Sequence, residues 1–544
     1  MKVFLLHRDR DFEVQPELRD SMFEAMLSGN LHAIFNAMRD LERQRRSASL
    51  SAPPGSYDGL AQDLELETLW NAMAGKDLFL YEMAKRAVLS GLTAPEEIRY
   101  RQHVLADCLE HPELVRRLYR LAIEALASEQ AVGSFWSGAR ADWILSRSVR
   151  VLRLYLAVLR ELRQIADEHG ESFRSDGFGR FFAMVREELG DGYFETVEQH
   201  LRELELKRGV LESARLAKGD KGTGYTFHKA PPAPSWKQRL LGSKQPPSYS
   251  FELHPRDEAG FKALTEIKSR GLQPAADALV QSAGHVESFF VMLRLELAFY
   301  LGCLNLHARL HANGQPTCMP EPAPDGGLAL SARGIYDVCL SLHVKDRVVG
   351  NDVNADGKSL VMITGANQGG KSTFLRSLGL AQLMMQCGMF VGAQSLRADV
   401  CAGVFTHYKR EEDAAMESGK LDEELARMSE IVDRIKPGAI LLCNEAFAST
   451  NEREGSEIAR HVVRAMLNRR IRVLFVTHLY DLAHGFFDQR LDTALYLRAE
   501  RAPDGRRTFK LLEGEPLPTS YGEDSYRRIF GDVEAVRASI GSRT

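Results

Sequence analysis

LVMITGANQGGKSTFLRSLGLAQLM, Leu360 to Met384, decides how this chain is read. An apolar run ends at Thr364, a glycine-rich loop follows, and a helix-favouring stretch opens at Lys371. The loop has the spacing Gly365-x-x-x-x-Gly370-Lys371-Ser372. Each residue type in it has a physical task. Glycines let backbone N–H groups turn inward toward anionic oxygens, and the positive end of the following helix adds its field. Lys371 is suited to neutralise β- and γ-phosphates, and the Ser372 hydroxyl to ligate Mg²⁺. Gly365, Ala366, Asn367, Gln368, Gly369, Gly370, Lys371, Ser372 and Thr373 are therefore the expected binding loop for ATP and Mg²⁺. A strand before and a helix after make a common spacing specific.

Two later segments have the same form, an apolar strand that ends in polar residues. AILLCNEAFAST (Ala439 to Thr450) ends its strand in Asn444-Glu445. In P-loop ATPases an acid at the first of these positions holds Mg²⁺ through water. Asn444 is a neutral amide. It can accept a hydrogen bond from a Mg²⁺-bound water but contributes no charge. Glu445 is then expected to orient and deprotonate the attacking water. VLFVTHLYDLAH (Val473 to His484) ends its strand in Thr477-His478. A histidine there is placed to donate to a γ-phosphate and to register its presence. A fourth strand is expected at Ala494 to Leu497. Helical runs separate the first three strands, which reads as a mostly parallel α/β sheet.

The whole chain has 544 residues, enough for three or four domains at about 150 residues each. Hydrophobic residues make up 44 % and charged residues 26 %, an ordinary globular balance. The net charge of -4 excludes a polycation but leaves room for a local basic stripe. None of the seven cysteines forms a CxxC pair, so reduced thiols are expected, with neither a disulfide framework nor a zinc site. The opening MKVFLLHRDRDFE has an apolar run, Val3 to Leu6, too short for a signal peptide. No uncharged apolar stretch reaches the roughly 18 residues of a membrane span. A cytoplasmic protein is expected, with no membrane partner.

Upstream the pattern is helical. A helix is expected around Pro16 to Arg46, followed by a Ser/Pro/Gly-rich break, SASLSAPPGS. From Leu60 to about Glu205 helix formers dominate. In Ile144 to Ile165, Leu145, Val149, Leu152, Leu156, Leu159 and Leu162 recur on one face. Arg147, Arg150, Arg153, Arg160 and Arg163 line another, either as a salt-bridged face or as a DNA-backbone stripe. Residues 206–229 suggest one or two hairpins. Residues 230–250 read as a proline-rich, basic linker around Trp236, able to touch a phosphate backbone or simply to be solvated. Helix returns from about Asp257 to Asn313. Its apolar run is nearly continuous but broken by Arg294 and Glu296, which marks a buried helix and argues against membrane.

Taken together, the three polar strand ends resemble the ATPase domain of the MutS family, the ABC-type mismatch-repair ATPases. The family's TGPNMGGKST is matched by Thr364 to Thr373, its DE by Asn444-Glu445, its later acid–Gly pair by Glu454-Gly455, its THxxEL by Thr477 to Leu482, and its SYG by Ser520-Tyr521-Gly522. Asn351-Asp352 also fits ahead of the first strand. IRYRQHVLADCLEHPELV (Ile98 to Val115) is similar to the start of the family's helical core. The resemblance implies an α/β P-loop NTPase domain of ABC-type, MutS-like form at 326–535. It would be preceded by a mainly α-helical core/lever domain at 56–325 with a short β/loop insertion near 206–250, a short segment at 1–55 and a tail at 536–544. It also implies a homodimer acting on DNA, with ATP and Mg²⁺ as cofactors and a protein partner as a further possibility.

The departures carry expectations of their own. No Phe before residue 350 has Glu two places on, so the family's mismatch-stacking wedge is missing. A shortened homologue without the mismatch-recognition and connector domains is expected. The family's adenine-stacking aromatic would fall near Val348. Its partner-reaching serine would fall at Gly419, with Ser418 and Lys420 on either side as weaker stand-ins. The leading expectation is an ATPase whose nucleotide state moves helical levers, acting on DNA but not through family-type mismatch reading. The alternative, favoured by Asn444 and the near-neutral charge, is a slow nucleotide-gated protein-interaction switch without DNA. A small-molecule kinase fits poorly with Asn444, Glu445 and His478.

Overall fold

A computed structural model describes residues 1–12, 58–132, 140–206, 209–216, 218, 222–228, 252–324, 326–410, 419–502 and 507–517. The expected helix at Pro16 to Arg46, the basic linker around Trp236, Ser418, the Ser520-Tyr521-Gly522 motif and the 536–544 tail lie outside them. Among the described residues, in chain order, eight α-helices come first: α1 (Asp58–Asp63), α2 (Leu66–Ala74), α3 (Leu78–Leu89), α4 (Pro95–Glu110), α5 (Pro112–Ala131), α6 (Ala141–His169), α7 (Asp176–Glu188) and α8 (Asp191–Leu204). The hairpin β1 (Leu211–Leu216) and β2 (Gly222–His228) precedes the 55-residue helix α9 (Glu258–Ala312). Then follow β3 (Glu321–Ala323), β4 (Leu330–Ile335), α10 (Val338–Val344), β5 (Asn351–Asn354), β6 (Leu360–Thr364), α11 (Lys371–Gln386), β7 (Ser395–Asp399) and β8 (Val404–Tyr408). The last are α12 (Lys420–Arg434), β9 (Ile440–Asn444), α13 (Glu452–Asn468), β10 (Arg472–Val476), α14 (Tyr480–Phe487), β11 (Ala494–Arg501) and β12 (Arg507–Glu513).

The chain divides into two compact units. One comprises Met1–Phe4 and Glu113–Leu297, the other Leu5–Pro112 and Ala298–Thr544. The division is discontinuous in sequence and does not follow a single cut between 325 and 326. That cut falls inside the second unit, where β3 pairs in parallel with β7.

The first unit is helical, with the β1–β2 hairpin. Leu145, Val149, Leu152, Leu156, Leu159 and Leu162 are all buried, so the apolar stripe of α6 faces a core. Aromatics fill that core: Phe173 lies 4.5 Å from Phe178 and 5.1 Å from Phe182, ring centre to ring centre. Three arginines of α6 form ion pairs within the unit and a fourth is buried. Arg147 is buried, Arg153 pairs with Glu205, Arg160 with Glu198 at 2.7 Å, and Arg163 with Asp167 at 2.9 Å. Of the two readings of that row, the salt-bridged face accounts for Arg153, Arg160 and Arg163.

The described residues of the second unit form two sheets. The larger has strand order β12-β11-β6-β10-β9-β8, parallel throughout except for the β11–β12 edge. β6 and β10 are buried along their whole length. Uninterrupted apolar runs are what a strand covered on both faces requires. One face packs on Met428, Val463, Met466 and Phe486 from α12, α13 and α14. α11 lies close to the sheet and to the α1–α2 connection. A Cβ on its Gly379 would come within 2.6 Å of Leu442 and 2.9 Å of Leu64. The smaller sheet has the order β3-β7-β4-β5.

The far end of α11 is fastened to the N-terminal segment by Arg101, which is 1 % exposed. Its guanidinium donates to Leu6 O at 2.7 Å and Cys387 O at 3.3 Å and meets His7 Nε2 at 2.9 Å. Burial, with Arg101 beside it, pushes the His7 imidazole down to about 3. α9 contains an 18-residue stretch of mean hydropathy 1.6, long and apolar enough to cross a membrane by length and composition, although 78 % of it is buried within the protein. The burial agrees with the reading of this nearly continuous apolar run, broken by Arg294 and Glu296, as a buried helix. All seven cysteines are free thiols.

Candidate functional site

The turn from β6 into α11 is made by left-handed residues. Gly365 has φ 115°, Gln368 59° and Gly370 90°. Two glycines there also permit a close approach. A Cβ on Gly365 would meet Ala499 of β11 at 2.9 Å, and one on Gly369 would meet it at 2.8 Å. Ala366 and Gly369 close the loop with a 3.3 Å hydrogen bond, leaving Asn367 and Gln368 exposed at its crest. Gly370 caps α11 without a side-chain acceptor, so the first turn keeps N–H groups for an anion.

Lys371 is buried. Its Nζ donates to Gly365 O and Ala366 O, both at 2.9 Å, and lies 3.5 Å from His478 Nε2. Burial pulls the ammonium down to about 8, with the Glu445 carboxylate opposing the shift. An ammonium folded onto its own loop carbonyls is poised to exchange them for phosphate oxygens. Next to it, Ser372 Oγ donates to Asn444 Oδ1 at 2.7 Å. These two oxygens form a neutral pair of the hard type Mg²⁺ takes, directly or through water, so the residues fit the ion without giving it charge.

Glu445 follows β9 with φ 54°, and its N–H donates to Val476 O at 2.8 Å. That turn aims the side chain across to β10, where His478 Nε2 meets Glu445 Oε1 at 2.9 Å. The hydrogen bond from His478 holds Glu445 below the usual carboxylate range despite its burial. Thr477 Oγ1 accepts from Leu479 N at 2.9 Å and so squares the turn that presents His478. Lys371, Ser372, Asn444, Glu445 and His478 therefore converge at the C-terminal ends of adjacent parallel strands, the usual place for a site in an open α/β sheet. Thr373, one residue further into α11, faces another cavity instead.

That cavity, of about 340 Å³, opens beside the loop and is lined by Tyr336, Leu340, Val348, Gln368 and Phe509 among others. Val348 lies near where the resemblance puts the family's base-stacking aromatic, and is itself aliphatic. An aromatic comes instead from β12. Phe509 is half exposed, has φ 58°, and its carbonyl accepts from Asn351 Nδ2 at 3.1 Å. Asn351 also accepts from Leu511 N at 2.8 Å, so Asn351 pins β12 against the loop. Arg507, on the same strand, donates to Gln368 Oε1. Sequence reading missed Phe509 and Arg507, because nothing local in RTFKLLE says which loop the strand will border. Gly419 caps α12 and Lys420 opens it. Among the described residues no group of three or more His, Cys, Asp or Glu could hold a metal ion.

Comparison with known proteins agrees in location with this geometry. Residues 93–313 match the family model of the MutS2 N-terminal domain, and residues 361–524 match that of MutS domain V. The mouse protein named MutS protein homolog 4 is 29 % identical over 168 residues, 31 % of this chain and 17 % of its own length. DNA mismatch repair protein MutS of Synechococcus sp. (strain CC9311) is 31 % identical over 167 residues, 30 % of this chain and 18 % of its own. The protein of the same name from Thermotoga sp. (strain RQ2) is 35 % identical over 135 residues, 25 % of this chain and 17 % of its own. The matched part is thus under a fifth of each relative.

Proposed function

Since the chain belongs to the MutS family, we propose that it binds ATP at Gly365 to Thr373 and hydrolyses it, using the nucleotide state to move its helical parts. The observation that carries this reading is the 2.9 Å contact between His478 Nε2 and Glu445 Oε1, directly beside the Lys371 ammonium. It brings a base, a donor and a phosphate-binding cation together. Lys371 releases Gly365 O and Ala366 O to hold the β- and γ-phosphates, and the first turn of α11 adds its N–H groups. Ser372 and Asn444 would hold Mg²⁺, which supplies charge neutralisation at the phosphates. Glu445, kept ionised by His478, orients water for attack on the γ-phosphorus and takes its proton. His478 then donates to the γ-phosphate and reports its loss. The base lies in the cavity against Phe509.

A homodimer completes this reading, and action on DNA accords with relatives named DNA mismatch repair protein MutS; with no Phe-x-Glu before residue 350 of this sequence, contacts other than mismatch stacking are proposed for these residues. Asn444 specifically favours a second reading, a slow nucleotide-gated switch that contacts a protein partner and no DNA. One set of measurements separates them. ATP binding is measured for wild type and Lys371→Ala, turnover for wild type and Glu445→Gln, and salt-dependent binding for mismatched, branched and plain duplexes. Loss of ATP binding in Lys371→Ala and loss of turnover with retained binding in Glu445→Gln are expected. ATP binding by Lys371→Ala equal to wild type would refute the site. No duplex binding at low salt would leave the switch.

A further inference from the structure

Glu424 stands where an apolar residue belongs. On α12 it shares a face with Leu421, Met428 and Ile431, which pack into the core of the larger sheet. Its side chain is buried, at 3 % exposure. A carboxylate in such a place is costly unless it is hydrogen-bonded. Glu424 Oε1 accepts a hydrogen bond from the backbone N–H of Phe447, at 3.0 Å.

Phe447 belongs to the turn that carries Glu445. Glu445 (φ 54°) and Phe447 (φ 60°) are both non-glycine residues in the left-handed region, separated by Ala446. Such backbone persists only where its surroundings hold it. Three holds are present. Val476 O takes the Glu445 N–H at 2.8 Å. Gly455 of α13 lies so close that a Cβ there would stand 2.3 Å from Phe447 O. Glu424 supplies the third, from a different helix. Beneath the turn, the His407 ring lies 5.4 Å from that of Phe447, and neither His407 nitrogen has a partner among the described residues. Glu424 Oε2 is likewise without one among them. Among the described residues, the polar hold on the turn from below is therefore the bond from Glu424 Oε1.

We infer that Glu424 is a positioning residue for Glu445: by binding the Phe447 N–H it keeps the 445–447 turn left-handed and so keeps the Glu445 carboxylate against His478. Any shift of α12 is transmitted to the hydrolytic carboxylate through this bond. The inference rests on the proposed ATP hydrolysis, and it makes Glu424 act through the backbone, without touching nucleotide.

The test uses the full chain with two variants. Glu424→Met keeps the length and removes the acceptor; Glu424→Gln keeps an oxygen acceptor. ATP affinity, turnover and amide exchange across residues 444–450 are measured for both. For Glu424→Met, ATP affinity within about threefold of wild type, turnover lower by about tenfold or more and exchange at 445–447 faster by about tenfold or more are expected. Glu424→Gln restores turnover and exchange to within about threefold of wild type. Unchanged exchange in Glu424→Met overturns the inference, as does ATP affinity falling in step with turnover, or Glu424→Gln as impaired as Glu424→Met. If Glu424→Met does not fold, Glu424→Gln decides alone: turnover and exchange near wild type support the tether, and a tenfold loss of either with ATP affinity intact overturns it. Wild type that binds ATP without turnover defeats the hydrolytic reading separately, and the exchange comparison still decides whether Glu424 holds the turn.

Discussion

Ser372 Oγ donates to Asn444 Oδ1 across 2.7 Å, joining the first turn of α11 to the end of β9. The parallel register of β9 and β10, with Asn444 opposite Val476, sets Asn444 level with the turn that presents His478. An aspartate would fit the same space and add a charge where the cation is expected.

Asn444→Asp is therefore expected to tighten the apparent Mg²⁺ affinity of the ATP-bound protein about tenfold, the effect of ~1.4 kcal/mol. Turnover should rise with it. A Mg²⁺ titration of ATP binding and hydrolysis checks both. An unchanged Mg²⁺ midpoint would remove Asn444 from the metal site.

Lys371 makes nucleotide binding sensitive to mildly alkaline pH. Burial lowers the free site's ammonium to about 8, and anionic phosphates prefer it charged. Below that pH the charge is already present. Above it, binding must take up a proton, so Kd should rise about tenfold per pH unit. The folding linkage has the opposite sense. Unfolded Lys371 holds its proton up to the ordinary lysine value of 10.5, so this residue's contribution to stability improves as pH rises from about 8 toward 10.5. ATP affinity measured from pH 7 to 9.5 tests the first effect, and Lys371→Arg should flatten it.

Phe509→Ala should weaken ATP binding about fivefold to thirtyfold, the range of ~1–2 kcal/mol for a lost aromatic face. The effect should appear in affinity and leave single-turnover hydrolysis at saturating ATP nearly unchanged. Because Asn351 holds β12 through the Phe509 carbonyl and the Leu511 amide, the strand should stay in place. Unchanged ATP affinity would place the base elsewhere.

Gly455→Ala should be destabilising by about 1–3 kcal/mol, the usual cost of overpacking. The added Cβ would meet a backbone carbonyl, Phe447 O, at 2.3 Å, and a carbonyl in a pinned turn cannot rotate away as a side chain would. Chemical denaturation gives the stability. Turnover should fall further than ATP affinity, since Glu445 is carried by the displaced turn. Wild-type stability and turnover together would show that the turn yields freely.

Much of the second unit was legible because its signals are local. β6 and β10 are buried throughout, and β9 is buried along its apolar run, so each reads as an unbroken apolar stretch that ends in its polar residues. The loop from Gly365 to Thr373 declares itself by glycine spacing between a strand and a helix. The α6 stripe, the hairpin near 206–229 and the extent of α9 were legible for the same reason: periodicity and turn residues act over a few positions.

What stayed hidden depends on pairing at a distance. Nothing local in β12 says that it will border the loop and bring Phe509 to a cavity beside Val348. Glu424 looks like any helical glutamate until α12 is laid on the sheet with Phe447 above it. The joining of residues 5–112 to the sheets depends on such contacts as Arg101 with Cys387 O and Gly379 beside Leu64. The sequence by itself determined which residues form the central strands and which carry side chains of the type that phosphate binding and proton transfer need, since those properties reside in side chains and their nearest neighbours. Only the tertiary structure decided that Ser372 meets Asn444, that Glu445 meets His478, and which strand supplies the aromatic. Those depend on strand order and backbone register, which are determined by packing between segments far apart in the chain.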